Sequence, residues 1–231
     1  MEVSLLSILA LGFVLGIKHA VEPDHVIAVS TIASQSKKLS RSSMAGVYWG
    51  IGHTATLFIV GLILILMKNE IPEKWAMSLE FLVGIMLVYL GITTTLSFRK
   101  LSVHKHQHGV MSQSHTSAGA ADEQPKVSYV KSMLIGLVHG LAGSGAMVLL
   151  TMSTVQSAWE GAFYILVFGA GTVAGMLFFT TVIGIPFVLT ANKSGLNIPL
   201  TSLTGLISTL FGIYYMYNLG VNEGLFKLWI G

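Results

Sequence analysis

His19-Ala20-Val21-Glu22-Pro23-Asp24-His25 interrupts a segment that is otherwise apolar enough to cross a membrane. Ahead of it, Val3 to Ile17 is almost wholly apolar, and behind it Val26 to Ala33 is apolar again. Ionisable groups in the middle of such a segment are costly in hydrocarbon. They are kept where they line a cavity, pair with one another or handle an ion. His19 and His25 would point about 240° apart on a continuous helix and so face different neighbours. Pro23 lacks an N–H, which takes a helical partner from the carbonyl of His19. A break over Glu22–Asp24 turns His19, Asp24 and His25 toward one point and frees backbone carbonyls beside them. Length asks for the same break: Val3 to Ala33 is about 46 Å as a straight helix, against a hydrocarbon core of about 30 Å.

Of the 231 residues, 53% are hydrophobic and 10% charged, and the mean hydropathy is +0.74. Soluble domains carry about 25% charged residues, so this composition is that of a polytopic membrane protein. No basic region precedes the first apolar run and no small-residue cleavage site follows it, so it reads as a retained span and not a signal peptide. The chain has no cysteine, which excludes disulfides, thiolate metal sites and thiol–disulfide chemistry. The net charge of +3 resides in loops, where membrane topology accounts for it, and no nucleic-acid partner is expected.

Six stretches are long enough to span: Val3–Ala33, Met44–Met67, Ala76–Phe98, Lys131–Thr154, Trp159–Thr190 and Leu200–Leu219. Trp49, Trp75 and Trp159 stand near span ends as interfacial anchors would. Odd-numbered loops hold Lys37, Lys38, Arg41, Arg99, Lys100, Lys105, Lys126, Lys131 and Lys193, whereas the even loops and termini hold Lys68, Lys74 and Lys227. The positive-inside rule then places the odd loops in the cytoplasm and both termini outside.

The halves resemble each other. Gly16-Ile17-Lys18-His19-Ala20 aligns with Gly136-Leu137-Val138-His139-Gly140, Trp49-Gly50-Ile51-Gly52-His53-Thr54 with Phe168-Gly169-Ala170-Gly171-Thr172, and Gly84–Tyr89 more weakly with Gly212–Tyr217. Three spans per copy is an odd number, so the second copy must be inverted, an arrangement found in transporters. The expected fold is an all-α membrane protein of six transmembrane helices in two inverted three-helix repeats, the first helix broken near Pro23. Residues 1–98 form the first repeat and 131–231 the second. Residues 99–130 form a polar, disordered cytoplasmic loop carrying His104, His106, His108 and His115, either a loose metal collector or a solvated linker.

Further candidates follow from depth. His19 lies about 22 Å from the outer end of its span, while His53 and His139 lie about 12–14 Å from the cytoplasmic end of theirs. The three imidazoles can therefore share one level. Imidazoles with a carboxylate suit Ni(II), Co(II), Zn(II) or Cu(II) better than Mg or Ca. The metal candidates are His19, Glu22, Asp24, His25, His53 and His139. The plain alternative for each histidine is a packed, hydrogen-bonded side chain, and Glu22 stands four residues after Lys18, where the two are expected to pair. Thr54, Ser144 and Thr172 are expected to orient imidazoles, and Glu80 and Glu160 to sit at the membrane interface.

With these residues in view, His19–His25 resembles the His-Ala-x-Asp-x-Asp-His element of the nickel/cobalt transporter family, and Tyr48–Thr54 is similar to its second element, which ends in Gly-His-Ser/Thr. With Gly136–Gly145 and six short spans, the chain looks most like the family's urease-accessory nickel permease branch. The resemblance implies nickel or cobalt transport, with His19, Asp24, His25 and His53 as the residues carried over. Here Glu22 replaces an Asp, Pro23 a small residue and Lys18 an Arg, and the second half lacks the acidic elements of larger members.

The expected function is uptake of a divalent metal, Ni2+ or Co2+, across the inner cell membrane. No resident cofactor is expected, and cytoplasmic metallochaperones are expected as receivers. Export of the same metals is the alternative. A membrane-embedded metal-dependent hydrolase is the third reading, but there is no His-Glu-x-x-His motif, and no Walker motif marks an ATPase.

Overall fold

The computed structural model describes residues 5–67, 71–106, 128–154 and 157–231, with side chains of 97–106, 144–154 and 194 outside the description. The described residues are helical without a strand. The elements are α1 (Leu5–His19), α2 (Pro23–Ser34), α3 (Leu39–Met67), α4 (Glu73–His106), α5 (Tyr129–Thr154), α6 (Ala158–Thr190), α7 (Ser194–Tyr217), a π-helical turn at Asn218–Asn222 and α8 (Leu225–Ile230). Leu39–Met67, Glu73–Leu96, Ala158–Thr190 and Gly195–Asn222 are each long and apolar enough to span a membrane, and α1 with α2 adds a fifth span if the bent pair counts as one. The remaining expected stretch, Lys131–Thr154, is helical as α5 but stands outside this set. Large apolar side chains such as Leu6, Ile59, Leu66, Leu210 and Ile230 remain exposed on the outside of the bundle, as lipid-facing residues do.

The break falls where the proline predicts it. α1 ends at His19, α2 begins at Pro23, and the two are bent by 58°. Pro23 occupies the first position of α2, where its fixed φ suits the helix and its missing N–H is no loss. One expectation is corrected here. The carbonyl of His19 is not freed, because it accepts from the Glu22 amide at 3.0 Å, and the Lys18 carbonyl accepts from Val21 at 3.0 Å. Tightening to i+3 bonds has satisfied the orphan acceptors in the manner common at helix ends.

Helix boundaries shift outward from the sequence reading. α3 begins at Leu39 and α4 runs to His106, so the start of the expected loop is helical. Residues 107–127, with His108 and His115, lie outside the described residues. α8 was not expected. Gly224, at φ 88°, turns the chain into it, and Trp229 Nε1 donates to Ser78 Oγ at 3.1 Å to hold it against α4.

Close helix contacts form at glycines. A Cβ on Gly16 would overlap the carbonyl of Phe168, and one on Gly136 the carbonyl of Trp49. Gly171 meets Phe13 and Gly52 meets Met133, while Gly169 meets Thr54 and Gly50 meets Val173. Each contact is carried onto its partner by the correspondence of Gly16 with Gly136 and Trp49 with Phe168. The contacts also give directions. Gly12 meets Tyr164 and Gly16 meets Phe168, so α1 and α6 run parallel; Gly46 meets Thr180 and Gly169 meets Thr54, so α3 and α6 are antiparallel. α3 and α5 are parallel, since Gly52 meets Met133 and Thr56 Oγ1 donates to the Leu137 carbonyl at 3.0 Å. α4 and α7 are antiparallel through Gly84 with Met216 and Gly91 with Gly205.

Overpacking a helix contact costs about 1–3 kcal/mol even where side chains can adjust, and here the obstacle is backbone. Gly16→Val and Gly136→Val should each lower the thermal midpoint of the detergent-solubilised protein clearly. Gly195→Val, whose Cβ meets nothing within 4 Å, should leave it unchanged.

Candidate metal centre

All six sequence-derived candidates converge on the break. His19 is the last residue of α1, Glu22 stands at the N-cap position of α2 without a side-chain capping bond, and Asp24 and His25 lie in the first turn of α2. His53 comes from α3 and His139 from α5. The small residues around them allow this approach, since Gly140 sits against the backbone of His53. His25, His53 and His139 are buried to within 2% of full enclosure.

Four imidazoles crowd together. The His25 ring lies 4.4 Å from that of His19, 4.1 Å from His139 and 5.2 Å from His53, centre to centre. The Nε2 atoms of His19 and His53 are 3.1 Å apart. Asp24 bridges two rings: Oδ1 accepts from His25 Nδ1 at 3.1 Å and Oδ2 from His139 Nε2 at 2.9 Å. As the first acidic residue of α2 it also sits at the positive end of that helix dipole. His19 Nδ1 donates to Glu22 Oε2 at 2.9 Å, which fixes the tautomer and leaves Nε2 unprotonated toward His53. His25 is fixed likewise by Asp24. Its Nε2 then carries a lone pair with no hydrogen-bond partner, and the Nδ1 atoms of His53 and His139 are also buried without one. Unpartnered buried polar atoms are costly and call for an explanation. Each set of three, His19 with His25 and His53, or Asp24 with His25 and His139, offers ligand atoms within 4.8 Å of one another.

A cavity of about 300 Å³ opens onto this cluster, with Lys18, Glu22, Glu80, Phe168 and Tyr215 among its lining residues. Several expectations are revised by it. The Lys18–Glu22 pair does not form: Glu22 binds His19, and among the described residues Lys18 has no ion pair. Glu80 is not interfacial but lines the cavity, and Tyr215 Oη donates to it at 3.5 Å. Its position was readable in part, because Met77, Val83 and Leu87 around it are all buried and share its face at helical spacing. Trp49 is no interfacial anchor. It is fully buried, stacked on His25 at 5.7 Å and edge-on to His139 at 5.4 Å. Because α3 starts at Leu39, Trp49 lies about 15 Å along the helix. Phe168, which heads the stretch of sequence similar to Trp49–Thr54, lies 5.4 Å from His19. Thr54 and Thr172 do not orient imidazoles. Thr54 donates to the Gly169 carbonyl at 3.3 Å, and Thr172 to those of Phe168 at 3.1 Å and Gly16 at 3.3 Å, so both are spent on helix crossings. The side chain of Ser144 lies outside the described residues. Glu160 stays in the first turn of α6, where its amide is capped by Ser157.

The chain is 64% identical to the urease accessory protein UreH of Bacillus sp. (strain TB-90), over 99% of both chains. It belongs to the UreH family. Residues 7–214 also match the cytochrome c biogenesis protein transmembrane region family, to which the chain therefore belongs. A protein named as a nickel/cobalt efflux system in Methanocaldococcus jannaschii is 24% identical over 88% of this chain and 89% of its own. The Arabidopsis thaliana chloroplast protein FOR GROWTH AND FERTILITY 1 is 26% identical over 75% of this chain and 48% of its own. No solved structure matches the chain. Its family and its apolar helices make it an integral membrane protein.

Asp24→Asn keeps the shape but leaves one acceptor oxygen for two buried imidazoles and sets an NH2 group against the other ring, which should cost about 1–3 kcal/mol. Glu22→Gln still accepts from His19 at a half-exposed position and should change stability by less than about 0.5 kcal/mol. Thermal unfolding in detergent with a chelator present measures both.

Proposed function

We propose that this protein is a permease that moves Ni2+, or Co2+, into the cell through the centre at the broken first span. The observation that carries the proposal is the lone pair of His25 Nε2, buried and unpartnered among three further imidazoles and Asp24. An apolar bundle has no structural use for such a group, whereas a borderline divalent cation does. Membership in the UreH family supports nickel uptake for urease, and the archaeal relative's name supports the metal pair. His19, Asp24, His25, His53 and His139 act as ligands. Glu22 orients His19 through Nδ1, the part that a carboxylate behind a metal-bound histidine plays. The protein is a transporter and not an enzyme.

The paired glycine contacts support two inverted three-helix halves, residues 1–98 and 131–231, joined by the His-containing segment 99–130. The directions support six crossings, with α1 and α6 running one way, α3 and α5 the other, and α4 opposite to α7. The distribution of Lys and Arg supports cytoplasmic odd loops and both termini outside. In that orientation Glu80 and Tyr215 lie toward the outer face, so the cavity opens outward. Rocking of the halves about the centre gives alternating access, and metallochaperones receive the ion inside. A dication moving inward at about 100 mV gains about 4.6 kcal/mol, enough for about 10³-fold accumulation without ATP.

Efflux is the rival direction, suggested by the archaeal relative. Radiolabelled nickel flux in vesicles of known orientation separates the two. Wild-type vesicles should accumulate nickel inward, and His19→Ala and Asp24→Ala should abolish flux. Unchanged flux in His19→Ala defeats the proposal, and movement only outward establishes the rival.

Protons compete with the metal for imidazole nitrogen, so binding should weaken as pH falls below about 6.5. Nickel titration from neutral pH to pH 5, followed by fluorescence of a variant that keeps only Trp49, measures this. Flat binding over that range contradicts imidazole ligation.

A further inference from the structure

We infer that the cation is held at two overlapping stations that share His25: an all-imidazole set of His19, His25 and His53, and a carboxylate set of Asp24, His25 and His139. The inference rests on the reading of this centre as a metal site and specifies how the ion is held and handed on.

The geometry divides the centre in this way. Each set of three brings its ligand atoms within 4.8 Å of one another, and His25 belongs to both. For metal–nitrogen bonds of about 2.0–2.1 Å, neighbouring ligand atoms of a tetrahedral shell stand about 3.3 Å apart. The His19–His53 nitrogens, at 3.1 Å, and the His139–Asp24 pair, at 2.9 Å, are already close to that spacing. The outer members are further apart, with His53 and His139 rings 5.9 Å between centres. His25 lies between them, and its two nitrogens have different surroundings. Nδ1 faces Asp24 at 3.1 Å, while Nε2 has no partner. The two ring nitrogens point in different directions, so His25 serves the imidazole set through the Nε2 lone pair while Nδ1–H stays on Asp24, and serves the carboxylate set through Nδ1 once its proton has moved to Nε2. Two dications at such separation repel strongly, so one ion occupies one station at a time. Three protein ligands leave a coordination position open at each, and the ion steps across His25 by exchanging ligands without full release.

The sets also differ in the elements that build them. His19, His25 and His53 come from α1, α2 and α3, all in the first half. The second set joins α2 to α5, with His139 from the other half. Relative motion of the halves therefore makes or breaks the carboxylate station while the imidazole station persists. His53 and His139 are equally buried yet have different tasks.

Co(II) titration of the purified full chain in detergent, followed by visible d–d absorption, tests this alongside vesicle flux. Wild type should take up one Co(II). His53→Ala and His139→Ala should each still saturate with one Co(II), with spectra that differ from each other, and both should lose flux. His25→Ala should lose saturable binding. His25→Gln, His53→Gln and His139→Gln are measured in parallel, so that a misfolded alanine variant does not decide the outcome. Loss of binding in a folded His53 or His139 variant as complete as in the His25 variant overturns the two-station arrangement in favour of one shared shell. Retained binding in folded His25 variants overturns it too. Absence of saturable Co(II) binding in the wild type instead overturns the metal reading on which it rests.

Discussion

Pro23 has no amide proton, and that single deficit lies between two helices bent by 58° at the middle of an apolar segment. A continuous helix would send His19 and His25 to different faces and bury each among lipid or packing residues. With the break, the end of α1 and the first turn of α2 face the same space. Asp24 takes the favourable end of the α2 dipole and holds two imidazoles at once. The remaining helices are arranged to meet that point. α3 and α5 bring His53 and His139 to it, and glycines at their crossing let the backbones approach closely enough for the rings to touch.

Function follows from the cost of that arrangement. Ionisable groups are expensive in a membrane, and a polar atom buried there without a partner is more so. The cluster meets part of this cost internally, through the carboxylates of Glu22 and Asp24. What remains is a lone pair on His25 and nitrogens on His53 and His139 without partners. In the proposed function a cation supplies the missing interaction, and the cavity beside the cluster is its way in. Trp49 and Phe168, which head similar stretches of sequence, are stacked on His25 and set beside His19 respectively. The centre is thereby walled by apolar rings that limit water.

Much of this was legible in the sequence, and the failures have definite causes. The helix break followed from Pro23 and from a segment too long for one straight crossing. The six residues that converge on the break were legible because ionisable groups in apolar spans are rare. The Lys18–Glu22 pair failed because the i,i+4 rule presumes a continuous helix, and the chain leaves the helix before Glu22, which swings to His19. The His19 carbonyl is not free because the turn tightens around it and it accepts from the Glu22 amide. Trp49 and Glu80 were set at the membrane surface because α3 and α4 begin earlier than their apolar runs do. Charged and small polar residues at 40–43 and 73–74 extend those helices, which moves every later residue deeper. Thr54 and Thr172 were misread because a hydroxyl in a helix has a carbonyl within reach on its own or a crossing helix.

The central claim is that the break assembles imidazoles and Asp24 into a shell for nickel. X-ray absorption at the nickel K-edge on the purified, nickel-loaded protein addresses it most directly. The account expects multiple-scattering features of at least two imidazoles, with an oxygen donor alongside, reduced in His25→Gln. A shell of oxygen donors alone, the same in wild type and variant, would contradict it.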